Sequence, residues 1–488
     1  MSAERILVID AGTSSLRAVA VTASGETSAI AAEPWDMRTP ADAEPFGREL
    51  DGPRVEASLG ALLRAARAAG GWSAVAFTGQ REGVVFVDEG GAAVCASPNV
   101  DARASAEGMA IDAARGQEVY LATGHLPSLM QAPAKYAWLR RHRPADAARV
   151  RHVVPLADWL AWLVTHEPAM SRSLAAENGL LDVRAGAPPA YIEDLGVGPT
   201  LLAPVVEDGS VVARVRGGDL AGTPVALAGA DTQCALVGLG AAAPGDCGVP
   251  AGWSAPIQLV TAQPVFDDGM RTWTGVHVAH GRFVLESNAG EAGRVWAWAC
   301  GLANIAVVDA EGLARVTPPG SRDVMAVLGP RVMRASRMNA GLGALTLPLP
   351  LVMSSPGAGE VVRAVLESTA YALRANLEQI EAIAGTAVAS LRLGGGMSRS
   401  ATFAQILADV MDRTIEVASV PETTALGAAA LASVALGWHG SLDEAIAAMC
   451  GGRRAVRPGL AASAAYEDYY GRWCAMADAL ERMATEGA

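Results

Sequence analysis

The sequence predicts an α/β protein of two lobes, and three observations carry that prediction. Short apolar runs alternate with helix-like stretches in both halves of the chain, the pattern of strands served by crossover helices. Several of those runs stop at a small, polar or glycine-rich turn: Ile6–Ile9 at Asp10, Val225–Ala228 at Gly229-Ala-Asp231, Leu391–Leu393 at Gly394-Gly-Gly396. Near 241–245 the composition shifts to Ala, Pro and Gly, which marks a hinge and divides the chain into a first lobe, 1–242, and a second, 243–488.

The elements follow in order. Ile6–Ile9 and Leu16–Val21 flank the tight turn Ala11-Gly-Thr-Ser-Ser15 as a hairpin, and Ser24-Gly25 turns into a third strand at Ala29–Ala32. Arg54–Ala69 has helical spacing of Ala and Leu. Ala74–Phe77 and Val84–Val87 read as strands around the polar knot Thr78-Gly-Gln-Arg-Glu-Gly83. Helical signals dominate 101–164, and Ala235–Leu239 looks like the start of a helix after the strand Val225–Ala228. In the second half, strands are expected near Gly275–Ala279, Phe283–Leu285, Leu391–Leu393 and Ile415–Val417. Helices are expected at Glu360–Ile383, Thr402–Met411 and Ala425–Leu436; the segment 303–350 reads as irregular.

Composition removes whole classes of function. At 51% hydrophobic and 18% charged, 488 residues bury a large core and do not resemble a disordered chain. A net charge of −13 argues against nucleic-acid and anionic-membrane surfaces, which need clustered positive charge. The sole lysine is Lys135, in Pro-Ala-Lys-Tyr, so neither a Gly-Lys-Ser/Thr phosphate loop nor the strand lysine of protein kinases is present. Six scattered cysteines without Cys-x-x-Cys read as reduced thiols. The four apolar residues before Asp10 are too few for a signal-peptide core, and no apolar run reaches the ~18–20 residues of a membrane span. A soluble cytoplasmic protein is expected. His277-x-x-His280 is read as structural, two ligands being no zinc site.

Three strand-to-turn sites share one design: small residues after an apolar strand leave backbone N–H groups free to approach an anion. In Asp10-Ala-Gly-Thr-Ser-Ser15, Gly12 allows close approach, the hydroxyls can donate and Asp10 can hold Mg²⁺ through water; an ordinary hairpin turn would look the same. In Gly229-Ala-Asp-Thr-Gln233 the lone Asp231 suits a general base, and equally a helix N-cap. In Gly394-Gly-Gly-Met-Ser398 three glycines fit a flat surface approached by a ring or a phosphate, or a plain loop.

Taken in order, the phosphate turn, the polar knot, the acid after a strand and the triple glycine followed by Thr424-Ala-Leu-Gly-Ala428 resemble the FGGY carbohydrate kinases over nearly the whole chain. That resemblance implies two actin-like, ribonuclease-H-like lobes with an inter-lobe cleft, and transfer of the γ-phosphoryl of ATP to a sugar or polyol hydroxyl with Mg²⁺. It implies a first lobe carrying sugar, first phosphate loop and base, and a second carrying ATP. By position, Asp10 matches the carboxylate near Mg²⁺ and Gly12, Thr13 and Ser14 the first phosphate loop. Asp231 matches the catalytic base and a second metal-facing carboxylate. Gln80, Arg81 and Glu82 fall where relatives grip substrate hydroxyls; Asn99 and Asp101 lie where many carry a tryptophan motif, and Thr232 and Gln233 follow the base. Gly394, Gly395, Gly396, Met397 and Ser398, with Ala425–Gly427, match the adenosine region. A homodimer is a further expectation, dimers being frequent among relatives.

Within the family, Arg81-Glu82-Gly83 with Asn99-Val-Asp-Ala-Arg103 is most similar to the autoinducer-2 kinases, which act on a small open-chain hydroxylated diketone. Asp231-Thr-Gln233 is closer to fuculokinase-like enzymes, and Arg81-Glu82 is also similar to glycerol kinase. The shared expectation is a small linear ketose or polyol. One position departs from the family: its second phosphate loop has Gly-Thr-Ser or Gly-Thr-Gly, and this chain has Gly252-Trp253-Ser254. An indole cannot replace the threonine hydroxyl, so either Ser254 and the backbone serve, or the scaffold is a catalytically impaired sugar sensor.

Overall fold

Ile6 to Ile9 have no solvent exposure at all. A strand apolar on both faces must be covered on both, which parallel strands with crossover helices achieve. The computed structural model describes residues 4–329, 331–336, 341–352 and 355–486. The chain forms two compact units that interleave in sequence. The first runs to Pro244 and takes in Val260–Val284 and Glu422–Gly451; the second holds Gly245–Leu259, Leu285–Pro421 and the chain from Gly452 onward.

In the first unit β1 (Arg5–Ala11) pairs antiparallel with β2 (Ser15–Thr22), and β2 with β3 (Thr27–Pro34), as the hairpin reading predicts. The crossover from β3 contains α1 (Gly52–Ala69). Asp51 caps it by accepting from the Arg54 N–H at 3.2 Å, worth about 1 kcal/mol. Its buried stripe is Val55, Leu59, Leu62 and Ala66, the helical spacing visible in the sequence. β4 (Ala74–Gly79) then lies parallel to β1. Past the polar knot, β5 (Val84–Val87) joins a separate five-stranded sheet. β6 (Val211–Arg214) and β7 (Pro224–Ala230) complete the first sheet in the order β6-β7-β4-β1-β2-β3, with β7 parallel to β4. Between β5 and β6 in sequence, α2 (Arg172–Glu177) is buried from Ser173 to Glu177.

The helix after β7, α3 (Asp231–Gly238), begins at Asp231, earlier than the sequence suggests. It packs on the buried helix Thr423–Ala435 through glycines. A Cβ on Gly238 would collide with the Thr423 carbonyl, and one on Gly427 with the Cys234 carbonyl. Ala425–Gly427, matched to the adenosine region by resemblance, are therefore buried packing positions here. Gly238 and Gly427 are therefore needed for the close approach of the two helices.

The second unit repeats the pattern. β8 (Cys247–Pro250) pairs antiparallel with β9 (Pro256–Thr261), then parallel with β10 (Leu391–Gly394). β10 pairs parallel with β11 (Ile415–Ala418), and β11 antiparallel with β12 (Arg453–Val456). The long helix Ala358–Ala384 ends in Gly385 at φ 64°, a left-handed cap that glycine adopts freely. Within 303–350 the structure has a helix, Val307–Val316, and a two-stranded pair, Met325–Val327 with Ala344–Thr346; residues 330 and 337–340 lie outside the described residues. Among the described residues no single helix is long and apolar enough to cross a membrane.

Candidate active site

Three neighbouring parallel strands end together in the first unit. Asp10 is opposite Thr78, and Thr78 is opposite Gly229, so Asp10, the Gln80–Glu82 knot and Asp231 all leave the carboxyl ends of β1, β4 and β7. Ligands of open α/β sheets bind at such ends.

Asp10 is buried, and its Oδ1 has no hydrogen-bond partner among the described residues. Its Oδ2 pairs with Arg17, the residue opposite it on β2. Sequence reading missed Arg17, although hairpin register alone sets the two face to face. Asp231 is partly exposed and its Oδ1 accepts the Thr232 N–H at 2.7 Å. Burial, and then the Asp10 charge, push its carboxyl up to about 7. The two acids therefore feel one another across the strand tips.

The phosphate turn is tied down from two sides. The Gly12 carbonyl accepts from Trp35 Nε1 at 2.7 Å and from Gln80 Nε2 at 3.1 Å, while the Thr13 hydroxyl accepts from Asn99 Nδ2 at 3.0 Å. Ser14 is exposed. Gln80 is buried and its amide is taken at both ends, since Oε1 accepts the Asn99 N–H at 2.6 Å. Asp101 has no exposed surface, and its carboxylate accepts from Arg48 N, Ser97 Oγ and Arg103 Nε at 2.9, 2.5 and 2.7 Å. These two sequence candidates are struts in this geometry, because protein donors and acceptors occupy the groups a hydroxyl would need. Asn99 differs: its Oδ1 is buried and has no partner among the described residues.

Arg81 and Glu82 sit at the turn itself. Glu82 has φ 61°, a left-handed conformation that costs a side chain strain. Lys135 holds it there, its Nζ donating to the Glu82 carbonyl at 2.8 Å and to the Pro98 carbonyl at 3.2 Å. Burial pulls that ammonium down to about 8. The sole lysine thus joins the knot to the Asn99 segment, a structural context invisible in its sequence neighbours.

Thr232 donates to Gln233 Oε1 at 2.7 Å, and Gln233 Nε2 donates to Glu177 Oε1 at 2.5 Å. Glu177, His125 and Trp273 complete this side and were not singled out in the sequence. Arg81 lies 3.6 Å from Glu177 Oε2 and 5.3 Å over the Trp273 ring.

In the second unit, β8 and β10 run parallel with Pro250 opposite Gly394, so Gly252-Trp253-Ser254 and Gly394–Ser398 leave adjacent strand ends. The Met397 N–H donates to the Ala251 carbonyl at 3.0 Å, and Gly252 N–H to the Ser254 carbonyl at 2.8 Å. Gly395 has φ 79°, and a Cβ there would lie 2.5 Å from the Ala251 carbonyl oxygen. Gly396, Met397 and Ser398 form a short turn in which Ser398 Oγ donates to the Gly395 carbonyl at 2.7 Å. The Trp253 indole is exposed, and Ser254 is half-buried.

The fold is that of solved sugar kinases. A Lactobacillus acidophilus xylulose kinase superposes with TM-score 0.87 at 18% identity, covering 99% of this chain and 100% of the other. A gluconate kinase from Lactobacillus acidophilus gives 0.88 at 17% identity, covering all of both chains. Plasmodium falciparum glycerol kinase with ADP gives 0.84 at 17% identity, covering 98% of each chain.

Residues 5–238 match the N-terminal domain, and 257–436 the C-terminal domain, of the FGGY family of carbohydrate kinases, and the chain belongs to that family. It is 31% identical over 505 aligned positions to the autoinducer-2 kinase of Salmonella typhimurium, covering 97% of this chain and 94% of that protein. It is 30% identical, with the same coverage, to the autoinducer-2 kinase of Yersinia enterocolitica. The chain is an ATP-dependent carbohydrate kinase. The impaired sugar sensor that Trp253 suggested finds no support in these relationships.

Proposed function

We propose that this kinase phosphorylates a hydroxyl of a small open-chain substrate, a ketose, a polyol or a hydroxylated diketone, with Asp231 as general base. The observation that supports this most is the Asp231 carboxyl itself. It is partly exposed at a strand tip, and its proton affinity is set near neutrality by burial and by Asp10. A base poised near the working pH combines a useful ionised fraction with useful basicity. The autoinducer-2 kinase relatives favour the diketone within this class.

Asp231 accepts the hydroxyl proton while the substrate oxygen bonds to the γ-phosphorus and the bond to ADP breaks. Arg81 and Glu82 donate to and accept from the remaining hydroxyls, with Asn99 Oδ1 as a further acceptor. Gln80 and Asp101 hold the turns that carry these groups. The unpartnered Asp10 Oδ1 and the mutual repulsion of two carboxylates fit Mg²⁺, which is commonly bound by one or two carboxylates plus phosphate oxygens and water. Bound there, Mg²⁺ supplies charge neutralisation for the transferring phosphate. The Arg17 guanidinium adds fixed positive charge beside Asp10. Gly252, Ser254 and Gly394–Ser398 bind the nucleotide in this reading. The enzyme is cytoplasmic in this reading, which the six free thiols support.

The test is ADP release with D-xylulose, glycerol, erythritol and an open-chain dihydroxydiketone, for the native protein and Asp231→Asn. Mg²⁺-dependent turnover of one of them, lost in the variant, is expected. A variant retaining most of the activity removes Asp231 as the base.

A further inference from the structure

A buried carboxylate with no role in the resemblance stands behind the substrate-facing residues. Glu177 ends α2 and is 1% exposed. Its Oε1 accepts the Gln233 amide at 2.5 Å. Its Oε2 lies 3.6 Å from Arg81 and 3.0 Å from His125 Nε2. His125 is itself 2% exposed, and its other ring nitrogen, Nδ1, is 2.8 Å from the Thr123 carbonyl. Nδ1 thus faces the Thr123 carbonyl, and Nε2 lies at ion-pair distance from Glu177 Oε2 without an aligned hydrogen bond, so a charge on the ring would be stabilised by the carboxylate. Burial opposes that charge, and Glu177 overrides the opposition, raising the His125 pKa. Trp273 closes the group, its ring 5.2 Å from His125 and beneath Arg81. Room for the carboxylate depends on Gly275, where a Cβ would lie 2.8 Å from Glu177 Oε1.

A substrate arm and a strut beside the base therefore hang on one side chain. Arg81 comes from the knot after β4, and Gln233 from the first turn of α3, two residues after Asp231. Truncating either partner of a buried charge pair leaves the other uncompensated, so such a group holds its neighbours in a narrow geometry. Its charge has a second effect. Arg81 alone would attract a carboxylate; with Glu177 shared between Arg81 and His125, and Glu82 next in the chain, the two acids offset the two basic groups and the local charge no longer favours an anion.

We propose that Glu177 is the positioning residue of the sugar pocket: it fixes Arg81 and Gln233 relative to Asp231 and, by balancing Arg81, selects neutral polyhydroxy compounds over sugar acids. The proposal rests on the reading of Arg81 as a substrate-holding residue; Gln233, buried and with its amide occupied at both ends by Thr232 and Glu177, is a strut beside the base.

The experiment compares the native enzyme with Glu177→Gln, Glu177→Asp and Arg81→Gln. The probes are D-xylulose, glycerol, an open-chain dihydroxydiketone and D-gluconate, with ATP varied separately. Glu177→Gln keeps the shape and removes the charge. It is expected to raise KM for the best neutral probe about tenfold or more, leave KM for ATP within about twofold, and raise the gluconate-to-neutral ratio of kcat/KM. Glu177→Asp, which keeps the charge, is expected to recover part of the loss and to keep gluconate excluded. An unchanged sugar KM in a Glu177→Gln enzyme whose Arg81→Gln counterpart is impaired overturns the proposal alone. So does a fall in sugar affinity, ATP affinity and unfolding temperature together in both Glu177 variants. A native enzyme that turns over none of the probes, or an Arg81→Gln enzyme with unchanged sugar KM, overturns the underlying site reading and this proposal with it.

Discussion

Arg17 and Asp10 face one another across the β1–β2 ladder, and the guanidinium closes on the Asp10 carboxylate. Arg17 also senses Asp231: that charge helps to raise the Arg17 pKa, after the larger pull of Asp10 and against burial. Coupling of this kind is mutual. Removing the guanidinium must make Asp231 hold its proton more tightly. The acid limb of the kcat/KM profile in Arg17→Gln should move to higher pH. A limb that stays in place or moves to lower pH separates Arg17 from the base.

Asp231 carries its own pH signature. With a folded pKa of about 7, kcat/KM of the native enzyme should fall tenfold per unit below that pH. Stability runs the other way. The native state keeps the proton that the unfolded chain gives up near 3.8, so stability is lost as pH rises from that value through about 7. Asp231→Asn should therefore unfold at higher temperature than the native protein at pH 8 and at a similar temperature at pH 4, while kcat falls roughly a thousandfold. Calorimetry at the two pH values and ADP release check both halves.

Gly395→Ala places a methyl against the Ala251 carbonyl oxygen and forces a side chain into φ 79°. The turn that holds Met397 to Ala251 must shift. KM for ATP should rise about tenfold or more, with sugar affinity retained, because the strain is confined to that turn. Isothermal titration with a nucleotide and with the sugar separates the two effects.

Gly427→Ala tests packing without touching a strand tip. The new methyl meets the Cys234 carbonyl and cannot relax by rotating. A loss of about 2–3 kcal/mol of stability is expected from overpacking against backbone. Urea unfolding measures it; a loss below about 0.5 kcal/mol would show that the helices slide apart at little cost.

Chelation is the simplest check of the paired acids. EDTA should abolish turnover, Mg²⁺ should restore it, and Asp10→Asn should raise the Mg²⁺ concentration needed for half activity about tenfold.

The strand tips were legible in the sequence because a buried strand and its polar terminus leave a local mark, as in Ile6–Asp10 and Val225–Asp231. Gln80 and Asp101 were legible as polar residues in the right places, but which atoms remained free was not. That depends on Gly12, Asn99, Arg48 and Arg103 arriving from other segments. Glu177 and Gln233 are 56 positions apart, and no local pattern encodes their meeting. Lys135 shows the same limit: its rarity was visible, while the strained Glu82 carbonyl that occupies it was not.

Because the helix Thr423–Ala435 belongs with α3, the first unit is not a contiguous stretch of polypeptide. A nascent chain halted at residue 244 exposes the glycine-lined side of α3 with nothing to cover it. The ribosome must deliver almost the entire message before that half can finish folding, so a truncated gene product ending at the hinge is a substrate for chaperones and proteases and not a separable module.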